Sequence, residues 1–71
     1  MIPFDKEGYI VDGIMKGFYI KIIFDKEETG GYYVFYSKNF KDKTAEGYDE
    51  WYLDIKVIES LLNEIDVEWK D

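Results

Sequence analysis

The chain has no cysteine, no histidine and no arginine, and its 71 residues include one proline. Without cysteine there are no disulfides and no thiolate metal sites, so the chain needs no oxidising compartment. Without histidine it lacks the usual general base near neutral pH and the commonest metal ligand. Without arginine all nine cations are lysine, and bidentate phosphate clamps lose the side chain best shaped for them. The opening MIPFDKEGYI carries acids where a signal peptide has an uninterrupted apolar run, and no window approaches a membrane span. A cytoplasmic protein with no membrane contact is the expectation.

Tests for chemistry give little. The pairs Asp49 with Glu50 and Asp66 with Glu68 supply carboxylates for acid and base roles, but catalysis needs a cleft that sets two different pKa values. A domain this small has little room for one, and adjacent residues on a strand point to opposite faces. Ser37 and Ser60 have no basic partner to activate them. The acids do not follow a D-x-D-x-D-G calcium loop, and Gly30-Gly31 has neither the spacing nor the GK pair of a phosphate loop. No catalytic residue, metal site or cofactor is expected.

What the chain has is ring area and an uneven charge. Seven tyrosines, five phenylalanines and two tryptophans, within a hydrophobic content of 46%, are too many apolar groups for a disordered acidic tail. One folded domain spanning 1-71 is expected, with 1-7 as an N-terminal arm that packs Phe4 on the body. Residues 1 to 45 hold seven acids and seven lysines, whereas residues 46 to 71 hold nine acids against Lys56 and Lys70, so the net charge of −7 lies in the last third. Such a field repels nucleic acid and attracts basic proteins. The competing explanation is solubility of a small, ring-rich protein.

The organising stretch is Tyr48 to Trp69. Asp54 is placed to cap a helix running to Ile65, with Ile55, Ile58, Leu61, Leu62 and Ile65 on one stripe. Val67 and Trp69 then alternate with Asp66 and Glu68 as a short strand. Tyr48 to Leu53 also alternates, with Trp51 and Leu53 on one face and Tyr48, Glu50 and Tyr52 on the other. A single longer helix from near Asp49 keeps Trp51, Ile55, Ile58, Leu62 and Ile65 on one seam; the strand-forming Tyr48, Trp51 and Tyr52 favour the strand.

Upstream, Tyr9 to Met15 reads as a strand, with Asp12-Gly13 as a bulge or bend and the turn at Lys16-Gly17. Phe18 to Phe24 is a central strand, Tyr32 to Ser37 a ring-rich one, and Lys38 to Gly47 an unpatterned solvated loop. Strand register is left open. The expected fold class is α+β: a small antiparallel sheet of four or five strands, with one helix in the C-terminal half packed on one face. Its expected core includes Trp51, Trp69, Ile20, Ile22, Phe24, Val34, Ile58 and Leu62.

For a binding surface the candidates are Tyr48, Glu50 and Tyr52 on one strand, Asp66 and Glu68 on another, and Glu59 on the helix. Tyrosines bordered by carboxylates suit a basic protein, because rings anchor contacts and acids steer lysine-rich or arginine-rich surfaces. A homodimer through the same rings is the rival use. GGYYVFYS, then YDEWY, then a helix closing on VEW resembles the small acidic immunity proteins of bacterial polymorphic toxin systems, over about Phe18 to Trp69. That resemblance implies a single α+β domain that occludes the basic active site of a nuclease toxin, and it carries no signature residue across. Phage inhibitors that imitate the charge of DNA share these features, as would an adaptor subunit that oligomerises through its sheet.

Overall fold

In the computed structural model, which describes residues 2–70, apolar–polar alternation has become a five-stranded sheet. The strands are β1 (Glu7–Gly13), β2 (Tyr19–Asp25), β3 (Gly31–Ser37), β4 (Gly47–Tyr52) and β5 (Ile65–Trp69), with α1 (Ile55–Asn63) between the last two. Their spatial order is β4-β3-β2-β1-β5, and every pairing is antiparallel. The expected α+β class and the placing of its one helix are therefore what the chain adopts.

Because β4 and β5 form opposite edges, α1 has to carry the chain from one edge to the other across one face. Nine residues rise about 14 Å, whereas four inter-strand gaps span about 19 Å. The helix therefore cannot roof the whole face. It inserts Ile58 among Ile10, Ile20, Ile22 and Val34, all fully buried, with Phe18 and Tyr36 nearly so. Ile20 sits opposite Tyr36 and Ile22 opposite Val34, so the register stacks one apolar layer under the helix.

The start of α1 follows from Asp54. Its backbone is extended, at φ −99° and ψ 120°, and its carboxylate accepts from the Lys56 amide at 2.9 Å, satisfying one of the free first-turn donors. The preceding segment pairs with β3 along its length, Ser37 with Gly47 through Tyr32 with Tyr52, which excludes the longer helix. At the other end β5 begins at once, and Gly13 makes that possible. A β-carbon there would lie 2.6 Å from the Glu64 carbonyl oxygen, and its φ of +97° favours glycine.

The β1–β2 turn runs through Met15 and Gly17, both at positive φ, close to the expected Lys16-Gly17 position. The strand before it ends at Gly13 rather than Met15. The expected bulge takes the form of a register shift between Ile10 and Asp12 against β5. Phe4 packs on the body as expected, stacked on Tyr32 at 5.9 Å between centroids, but Glu7, expected in the arm, pairs with Lys21 as the first residue of β1, and Met1 lies outside the described residues. In the loop before β4, Asn39 and Asp42 side chains accept from the Lys41 and Thr44 amides.

Four of the expected core residues, Ile20, Ile22, Val34 and Ile58, are fully buried, and Leu62 and Trp69 are partly buried against them. Phe24 and Trp51 are corrections, each 43% exposed. Phe24 lies on the core face at the strand end beyond the helix, stacked on Tyr32 at 5.0 Å. Trp51 pairs with Tyr33 and so faces away from the Val34 side altogether.

Candidate functional site

That parity inverts the expected surface. Tyr48, Glu50 and Tyr52 oppose Tyr36, Val34 and Tyr32, which puts them on the helix side of the sheet. Trp51, with Asp49, takes the open side. Three polar or amphipathic residues are tolerated on the core side because β4 is an edge strand that α1 only partly roofs. On β5, Ile65, Val67 and Trp69 pack against the core, so Asp66 and Glu68 face the other way. The two halves of the expected surface therefore occupy opposite edges and opposite faces, and Glu59 lies exposed on α1 between them.

Where the helix stops short, a cleft of about 490 Å³ remains between β4, α1 and the β1–β2 turn. Tyr36 forms its floor, with the ring 96% out of solvent (4% exposed). Tyr48 and Tyr52 line the sheet side, and Ile14, Met15 and Leu61 give it an apolar wall. Three acidic residues line it: Glu50 and Asp49 from β4, the latter paired with Phe35 so that its side chain takes the open side, and Glu64 from the C-cap of α1. No lysine lines it.

The electrostatics of this cleft all have one sign. Burial, then the Glu50 carboxylate, push the Tyr36 hydroxyl well above the usual phenol range. Tyr52 is raised for the same two reasons. Tyr48, at the rim, is raised chiefly because its hydroxyl donates to Glu46. All three stay neutral at physiological pH, offering ring faces and hydroxyls while the glutamates supply charge. Glu64 adds a second effect. It stands at the negative end of the helix dipole, where an acid is disfavoured by about 0.3–1 kcal/mol, and the last turn contains no basic residue.

The opposite face of the sheet has no helix on it. It presents Tyr9, Tyr19, Tyr33, Phe35 and Trp51, with Tyr9 packed on Tyr19 at 5.1 Å and Tyr33 stacked on Phe35 at 5.6 Å. Lys21 and Glu7 sit side by side in this array. Glu7 also accepts from Lys70 at 2.6 Å, the one ion pair among the described residues. No group of three or more potential metal ligands occurs among the described residues, and no described helix is long and apolar enough to cross a membrane.

Neither a protein-family model, nor a curated protein, nor a solved structure matches the chain. Sequence reasoning reached Tyr48, Glu50 and Tyr52 and missed Tyr36, Glu64, Leu61, Ile14 and Met15. One signal was available for Glu64: it closes a helix that has no basic residue in its last turn, so its charge adds to the negative end of the helix dipole.

Proposed function

We propose that this protein is a non-catalytic acidic binding module that neutralises a basic protein, in the manner of an immunity protein that inhibits a nuclease toxin in the cytoplasm. One observation carries the reading. Glu46, Asp49, Glu50, Asp54, Glu59, Glu64, Asp66 and Glu68 are all exposed, and none takes part in an ion pair among the described residues. Their charge is therefore available to a partner. A solubility role would be served equally by acids distributed along the chain, whereas these are concentrated between residues 46 and 68, in β4, α1, β5 and the residues that flank them. The resemblance of the ring and acid pattern to immunity proteins points the same way.

The test is co-expression with the product of the neighbouring reading frame. Relief of a nuclease-dependent growth defect, together with an isolable complex that dissociates with salt, supports the reading. A neighbouring product that is neither basic nor bound removes it.

The ring-bearing face favours a second reading, an adaptor that self-associates through Tyr9, Tyr19, Tyr33, Phe35 and Trp51. Sedimentation equilibrium separates the two: a dimer abolished by Tyr33→Ser with Trp51→Ser belongs to the second, a monomer to the first.

A further inference from the structure

We infer that the cleft between β4 and the C-terminal turn of α1 is a socket for a single cationic side chain, a lysine or arginine presented by the basic partner. This rests on the partner reading above for its biological occupant, but not for its chemistry.

The argument is one of matched parts. A lysine or arginine side chain is an apolar stem carrying a charged head, and it binds best where the stem finds hydrocarbon and the head finds negative potential. Ile14, Met15 and Leu61 supply the hydrocarbon. The negative potential comes from several independent sources that meet at one place. Glu50 and Glu64 approach from different elements, the carbonyl end of α1 adds the negative pole of its dipole, and the Tyr48 and Tyr52 rings add π faces that attract a cation. The Tyr36 hydroxyl at the floor is held neutral by burial and by Glu50.

Three features separate this from a chance group of surface acids. The cleft is walled on one side by apolar residues, it has a buried tyrosine at its base, and none of its lining residues is a lysine that would fill it from within. Glu64 closes α1 at the negative end of its dipole, where a cation is favoured, and Glu50 is an exposed carboxylate on the same side of the sheet as Val34 and Tyr36.

An anion is excluded by the sign of every charge in the cleft. A neutral apolar ligand would leave two carboxylates facing hydrocarbon, at a cost in desolvation. The fit is to a head group of positive charge on a stem of a few methylenes.

The experiment titrates the isolated protein with butylguanidinium and butylammonium, using butylurea as the neutral isostere, and follows methyl resonances of Ile14, Met15 and Leu61 by NMR. The cations are expected to bind about tenfold more tightly than butylurea, with shifts centred on those methyls and on Tyr52. Glu50→Gln with Glu64→Gln is expected to erase that preference. Glu27→Gln with Glu28→Gln, which removes the same charge from the distant β2–β3 turn, should leave it in place. The inference is overturned if butylurea binds as well as the cations, if the shifts lie elsewhere, or if the two double variants weaken binding equally. Because no partner protein is present, these outcomes judge the socket alone; a working socket in a protein that binds no basic partner would remove only the partner reading.

Discussion

The indole of Trp51 lies over Gly31: a β-carbon at Gly31 would come 2.4 Å from the ring, and the indole nitrogen donates to the Thr29 hydroxyl at 3.0 Å. Trp69 covers a second glycine on the other face, where a β-carbon at Gly8 would lie 2.7 Å from its ring. Each tryptophan thus covers a glycine on a neighbouring strand, one on each side of the sheet. Trp51→Ala should cost about 1–2 kcal/mol, the worth of a partly buried ring, and not the roughly 3–5 kcal/mol of a core aromatic. Gly31→Ala should be destabilising while Trp51 is present and much less so once it is alanine. Urea denaturation of the two single variants and the double variant measures that coupling.

The helix gives a second, ranked prediction. Ile58→Ala removes a fully buried side chain and should cost about 2–5 kcal/mol. Asp54→Ala removes the cap bond to Lys56 and should cost about 1 kcal/mol, most of it restored by asparagine. Val57→Ala, at a side chain 42% exposed, should cost less than either. Chemical denaturation orders the three, and an Asp54→Ala protein as stable as the parent would contradict the cap.

The helix and its cap were legible because Asp54 caps it as expected and Ile58, Leu61 and Leu62 of the apolar stripe pack on the core; the helix nevertheless ends at Asn63, and Ile65, expected as its last residue, opens β5 instead. The strands were legible too, since their alternation has a period of two. Which side of β4 faces the helix was not legible, because alternation defines two faces without naming them. Ring size suggested Trp51 for the core, and the pairing of Val34 with Glu50 decided otherwise. The glycines that accept the tryptophans are contacts between strands distant in sequence. The cleft is likewise a product of topology, since it exists only because a nine-residue helix crosses between the two edges of the sheet.

Tyrosine ionisation gives a prediction in pH. Tyr36 is raised by burial and by Glu50, and Tyr52 by the same causes. A raised folded pKa means that the native state holds its proton longer than the unfolded chain does. The associated stability is fully present below the unfolded phenol value of about 10 and is lost as pH climbs above it. Thermal unfolding should therefore show a fall in stability beginning near that pH, shallower in Tyr36→Phe. Tyrosinate absorbance followed through the same range should show Tyr36 among the last to ionise.

The most direct measurement of the central claim is the association rate with the basic protein proposed as its partner, taken at low and at physiological ionic strength. If the charge of β4, α1 and β5 steers encounter, the rate falls markedly as salt rises, because counterions screen the long-range field. Neutralising Glu50 and Glu64 together lowers the rate further at low salt, Tyr52→Ala acts mainly on dissociation, and alanine at Lys38, Lys41 and Lys43 changes little. A rate indifferent both to salt and to the Glu50 and Glu64 substitutions would contradict the account, leaving the carboxylates as solubility residues and the open aromatic face as the surface to pursue.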